Sequence, residues 1–215
     1  MIQIPKPGRR TLAGVATFAV MLACVPAYVS GYTVNGPSEA PTLLLGDFVI
    51  VNHAAFDLKL PYSAIKVANL GAPKAGDLVL FRVPNRDALG LKVVVGVPGD
   101  VVAMRENQLS LNQEVVALEP LAREAFAWVP KEHQIGRIVA RETLGTAKFS
   151  HEITYTPGLS PLRSFAPTTV AKDHYFLLGD HRDNSNDSRT FGTVTRDSIF
   201  GKVVLVWSAA RVQRK

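Results

Sequence analysis

The sequence predicts a mainly β protein built on antiparallel sheet, with one transmembrane helix near its amino terminus and a small cap inserted into the β domain. Three observations carry this: an uncharged apolar run from Thr11 to Tyr32, short β-type runs beyond residue 33 separated by Gly, Pro, Asn and Asp, and little helical periodicity after that point. The 215 residues are 47% hydrophobic and 20% charged, which suits one moderate domain with an appendage and excludes a disordered chain.

The run from Thr11 to Tyr32, TLAGVATFAVMLACVPAYVSGY, matches the roughly 20 residues a helix needs to cross a bilayer. Lys6, Arg9 and Arg10 stand just before it, so the positive-inside rule puts the amino terminus in the cytoplasm and the rest of the chain outside. Pro26 would kink or finish the helix. A cleaved secretory signal also fits a basic start, an apolar run and small residues near Val25 to Ala27. The expected organisation is a cytoplasmic stretch at 1–10, a membrane helix at 11–31, a catalytic β domain at 32–116 and 173–215, and a cap at 117–172. That places the chain as a single-pass membrane protein with its β domain outside the cytoplasm.

Candidate strands are Asp47 to Asn52, Asp77 to Val83, Leu91 to Val95, Asp100 to Met104, Gln108 to Leu111, Tyr175 to Leu178 and Lys202 to Trp207, each bounded by turn residues. Gln108 to Val116 alternates around Asn112-Gln113, which suggests a hairpin. Residues 117–172 alternate more weakly and carry more Pro, Ala and charge, hence the cap.

The formal charge of +6 raises nucleic acid as a partner, but Lys and Arg are scattered and form no basic helix or aromatic-basic stripe, which argues against it. One cysteine, Cys24, allows neither an internal disulfide nor a cysteine metal cluster, and its apolar setting suppresses the reactive thiolate. His133, His151 and His174 lack the spacing or neighbours of a zinc site and read as surface or hydrogen-bonded histidines. No cofactor or metal is called for.

Three segments could carry chemistry. In Asn35-Gly-Pro-Ser-Glu-Ala-Pro-Thr-Leu-Leu-Leu-Gly-Asp47 a turn formed by Gly36, Pro37 and Pro41 can expose the hydroxyl of Ser38, though a serine between prolines is commonly just a loop residue. In Gly90-Leu-Lys-Val-Val-Val-Gly-Val-Pro-Gly-Asp100 a lone lysine starts a β-branched run, with Leu91, Val93 and Val95 on one face and Lys92 and Val94 on the other. If both faces are covered, Lys92 is desolvated and its ammonium form disfavoured, as a general base requires; otherwise its amine snorkels to water. The third segment, Gly179-Asp-His-Arg-Asp-Asn-Ser-Asn-Asp-Ser-Arg-Thr-Phe-Gly192, only imitates a calcium loop, since Ser188 stands at the sixth position and Val194 at the twelfth. Internal Asp-Arg pairing fits it better than metal, and His181 reads as structural.

Together and in this order the segments resemble the type I signal peptidase family, serine proteases with a Ser/Lys dyad, especially its Gram-negative members. Ser38-Glu-Ala-Pro-Thr-Leu with Gly46-Asp47 is similar to the nucleophile box, Lys92 with Gly96-Val-Pro-Gly-Asp100 to the lysine box, and Gly179 to Arg189 to the late Gly-Asp box, which usually has asparagine where His181 stands. Arg141-Glu-Thr-Leu-Gly145 and the strand Gly201 to Ser208 extend the likeness to about Tyr32 to Ser208. The resemblance implies a mostly antiparallel β fold with a smaller cap domain and removal of signal peptides from exported preproteins beside the lipid bilayer. It implies Ser38 as nucleophile, Lys92 as general base, Ser185 as a hydrogen-bond partner of that lysine, and Asp187 with Arg189 as a supporting salt bridge near Asp180. Tyr32, Val34 and Leu91 would line shallow pockets for small side chains.

Two departures stand out. Glu39 replaces the family's usual methionine and puts a carboxylate beside the nucleophile, and Gly36 stands where Gram-negative members often carry a second, hydroxyl oxyanion donor, next to Pro37 in place of a common glycine. They leave room for two further readings: a relative dedicated to one substrate such as a pilus or conjugation protein, or a silent, membrane-tethered module that binds leader peptides.

Overall fold

The computed structural model describes residues 24–122, 127, 136–144 and 149–208. Short apolar runs rich in β-branched and aromatic residues organise the largest sheet, which runs in the order β1 (Val29–Thr33), β2 (Phe48–Asn52), β16 (Ile199–Trp207), β5 (Leu78–Arg82), β6 (Leu89–Gly96), β14 (His174–Leu178) and β15 (Val194–Thr195). Neighbouring strands in it are antiparallel. A four-stranded sheet joins β13 (Phe165–Thr169), β7 (Val101–Arg105), β8 (Gln108–Leu111) and β9 (Glu114–Val115), and a three-stranded one joins β10 (Ala117–Pro120), β11 (Ile138–Leu144) and β12 (Phe149–Tyr155). A hairpin of β3 (Asp57–Lys59) and β4 (Lys66–Asn69) completes the set.

Each of the seven strands read from the sequence is present. Asn112 and Gln113, both at positive φ (53° and 72°), turn β8 back into β9 with the twist a two-residue hairpin favours. The helix expected over 11–31 does not reach its predicted end. Residues 24–28 are helical, but Val29 to Gly31 already belong to β1, whose backbone pairs with β2 in register Val29↔Asn52 to Thr33↔Phe48. Strand pairing satisfies those backbone groups and suits Val29, Tyr32 and Thr33, so it overrides the apolar run. Residues 11–23 of that expectation lie outside the described residues, and no helix among the described residues is long and apolar enough to cross a membrane.

The β-branched run of β6 is covered on both faces. Val93 and Val95 pack with Val102, Met104, Leu109, Phe176 and Leu178, while Val94 packs with Val79, Phe81, Tyr175 and Leu177. Leu144 and Val170, from the stretch expected to form a cap, are buried in the first of these clusters, and β13 from the same stretch pairs with β7. A third cluster of Val34, Leu43, Val49, Val51, Leu80 and Val203 fixes the segment between β1 and β2 against the sheet.

Candidate active site

Residues 34–47 form a closed loop between β1 and β2. Val34 N–H donates to Asp47 O (2.8 Å), Gly46 N–H to Val34 O (2.9 Å) and Leu44 N–H to the Asp47 carboxylate (2.8 Å), so Asp47 closes the loop at its base. Gly46, at φ 86°, takes the left-handed turn this closure needs. Ala40, Leu43 and Leu44 are buried, which leaves Ser38 half-buried at the rim.

The loop sets Ser38 against the middle of β6. Lys92 Nζ donates to Ser38 Oγ (2.7 Å), to Glu39 Oε1 (2.7 Å) and to its neighbour's carbonyl, Leu91 O (2.8 Å). The Ser38 hydroxyl in turn donates to Glu39 Oε1 (3.2 Å), which closes a triangle of amine, hydroxyl and carboxyl. Lys92 is 4% and Glu39 2% exposed, so the amine does not snorkel to water. Burial pushes the Glu39 carboxyl up; the Lys92 ammonium pulls it down and Asp180 pushes it up again, leaving it at about 8.

The late Gly-Asp segment locks this arrangement from behind. His181 N–H donates to Ser38 O (3.0 Å), and Gly179 lies so close that a side chain there would meet Ser185 and the Ser38 carbonyl. Asp187 accepts from Arg189 through both carboxylate oxygens (Nε to Oδ1 and Nη2 to Oδ2, 2.8 Å each), and its Oδ2 also accepts from Gly179 N–H (3.1 Å). Buried though it is, the Asp187 carboxyl stays below the usual range because Arg189 and the Gly179 amide favour its charged form. The expected hydrogen bond from Ser185 to Lys92 is not made. Glu39 takes that place: the three amine hydrogens go to Ser38, Glu39 and Leu91.

A buried ionic cluster that the sequence reading missed stands behind the loop. Arg182 Nη2 donates to Glu142 Oε2, His151 Nε2 lies 3.1 Å from the same oxygen, and His151 Nδ1 lies 2.8 Å from Asp180 Oδ1. All four side chains are at most 6% exposed. Burial opposes a charge on His151, but Asp180 and Glu142 outweigh it and raise the imidazole to about 9. Of the two readings given for it, His151 takes the hydrogen-bonded one, as an imidazolium between two carboxylates; His133 lies outside the described residues. The one available signal was the alternation of β12, which puts His151 on the same face as Ile153.

In front of the triangle opens a cavity of about 440 Å³, lined by Tyr32, Val34, Gly36, Leu80, Leu89 and Leu91 together with Ser38, Glu39 and Lys92. The three residues expected to form substrate pockets thus share one cleft with the predicted nucleophile and base.

A model of the family described as "Signal peptidase, peptidase S26" matches residues 9–208 of the chain. The chain belongs to this family. It is 34% identical to the signal peptidase I of Pseudomonas aeruginosa over 192 residues, and as similar to that of Pseudomonas fluorescens over 191. Each match covers 83% of this chain and 64% of the Pseudomonas protein, so the chain spans less than two thirds of either relative. With signal peptidase I V of Bacillus subtilis it shares 28% identity over 89% of its own length and 94% of that protein. A crystal structure of a signal peptidase I from Enterococcus faecalis aligns with 63% of the chain at a TM-score of 0.38 and 23% identity, over its whole length. The Ser38 loop, β6 and the Gly-Asp segment, which converge around the cleft, all lie within the matched residues.

Proposed function

We propose that the chain is a membrane-bound serine endopeptidase that removes N-terminal signal peptides from exported preproteins, with Ser38 as nucleophile and Lys92 as general base. The observation that carries this is the 2.7 Å separation of the Ser38 hydroxyl and a 4% exposed Lys92 amine. In the working form the amine has lost one proton and its lone pair faces Ser38 Oγ. It takes the hydroxyl proton as Oγ attacks the scissile carbonyl, then returns that proton to the leaving amine. The backbone amide of Ser38 is the proposed oxyanion donor.

The cleft suits an extended peptide. Among the described residues β1 pairs only with β2, and Leu89–Lys92 of β6 pair with β5 alone, because β14 joins β6 from Val93 onward. Two strand edges without a further strand partner among the described residues therefore border Ser38, and, apart from Leu91 O, which Lys92 holds, a substrate strand can hydrogen-bond to them without regard to its sequence. Selection then falls to the apolar walls of Tyr32, Val34 and Leu91, which favour small side chains. A lipid neighbour is supported by the apolar run at 11–32 with its basic lead, and by Phe48 and Trp207, cross-strand partners that are 42% and 63% exposed beside Leu45 and Leu205. The expected location is a bacterial inner membrane, with the β domain on the periplasmic side.

Cleavage of a preprotein by the chain in detergent or vesicles tests the proposal. Ser38→Ala and Lys92→Ala are each expected to lower kcat/KM by at least about 10³-fold while leaving the protein folded. Equal cleavage by either variant and the parent overturns the assignment.

A further inference from the structure

Resting on that reading, Glu39 is the one group in contact with both reacting atoms whose part in the chemistry is unassigned. It is 2% exposed, its Oε1 accepts from both Lys92 and Ser38, and its Oε2 is buried with no hydrogen-bond partner among the described residues. The charged groups around it come from three elements. Lys92 comes from β6; Asp180 comes from the segment after β14, where His151 of β12 holds it; and the Arg182–Glu142 pair lies beyond His151. Asp180 is the negative charge that acts on Glu39 besides its own ion pair with Lys92.

We propose that Glu39 is a proton trap for the catalytic lysine: once its carboxyl has ionised, the carboxylate keeps the amine protonated and caps the fraction of molecules that hold a free base. The proton balance is simple. While Glu39 is neutral, it puts no negative charge beside the amine. When Glu39 loses its own proton, the pair still holds one. That proton lies between an amine and a carboxylate 2.7 Å apart, where the ion pair favours the ammonium. Further base then gives no more free amine until this last proton leaves. An uncharged side chain at residue 39 lets the free amine go on accumulating.

The consequence is a shape in the pH profile, not a uniform loss. The Glu39 carboxyl is pushed up to about 8 by burial, so the cap sets in near that pH. In Glu39→Gln, which keeps the shape of the side chain, the variant-to-parent ratio of kcat/KM rises with pH above that value. Glu39→Met, the residue usual at this place in the family, gives the same slope and guards against a packing defect peculiar to glutamine. The experiment is the kcat/KM profile of parent, Glu39→Gln, Glu39→Met and Ser38→Ala on one signal-peptide substrate from ~pH 6 to ~pH 10. A ratio that climbs with pH for both variants supports the trap. A ratio that does not climb with pH overturns it, whether the variants match the parent or are slower throughout. If Ser38→Ala still cleaves, the Ser/Lys reading fails first and the trap with it.

Discussion

Glu142→Gln measures how far the fold depends on the charge buried behind the nucleophile loop. Burial alone would raise the Glu142 carboxyl, but Arg182 and then His151 overcome it and hold it at about 2, against an ordinary 4.5. At about 1.4 kcal/mol per pH unit, that fall corresponds to roughly 3 kcal/mol of stability carried by the ionised form. Because the folded value is the lower one, this contribution is complete above 4.5 and is lost as pH falls through about 2. A second route gives a similar figure: removing one partner of a buried ion pair costs about 3–5 kcal/mol, since the guanidinium of Arg182 would stay buried without its counter-charge. The assay is urea unfolding at neutral pH, with parent and variant compared at equal slope. A loss of about 3 kcal/mol, or about 6–12 °C in Tm for a chain of this size, is expected. Adding Arg182→Met should restore part of it by removing the stranded cation. A loss below about 1 kcal/mol, the worth of an exposed pair, would refute the argument.

The imidazolium of His151 sets an upper pH limit on the same cluster. Its folded value of about 9 lies above the ordinary 6.5, so its contribution is complete below 6.5 and drains away as pH rises through about 9. The urea midpoint should fall more steeply over that window in the parent than in His151→Asn, since Glu39, raised to about 8, weakens both alike; parallel curves would exclude the imidazolium. At Gly36 an added Cβ would meet nothing within 4 Å, and the residue lines the cleft beside Ser38. Gly36→Ser should therefore be accommodated and, if its hydroxyl reaches the oxyanion, raise kcat by up to about 10²-fold with little change in KM. Unchanged kcat in a folded variant would remove that residue from the oxyanion site.

The β strands were legible because short apolar or alternating runs bounded by turn residues are a local property, and the strands found where expected, from the alternating Gln108–Leu111 to the continuous Tyr175–Leu178, show one or the other. Lys92 was legible as a polar residue inside a β-branched run, and the double burial of β6 made the desolvation real. β1 was not legible, since its five residues continue an apolar run and only their pairing to β2 distinguishes strand from helix. Nor was the place of Glu39. The sequence shows a carboxylate beside the nucleophile, but whether it points to water or to Lys92 is decided by a contact between residues 53 apart. Ser185 was misplaced for the same reason. The Glu142–Arg182–His151–Asp180 cluster assembles from β11, β12 and the Gly-Asp segment, and no single stretch of chain reveals it.

The backbone around Thr154 ties distant parts of the chain into one mechanical unit. Thr154 N–H donates to Asp180 O and its carbonyl accepts from Arg182 N–H, while His181, between those two, holds the carbonyl of Ser38. β12 thus braces Ser38 through a bridge of main-chain bonds that side-chain substitution leaves in place. Trimming the chain between 117 and 172 would cut that brace and set the Ser38 loop adrift, even though Ser38, Lys92 and the residues that line the cleft had been kept.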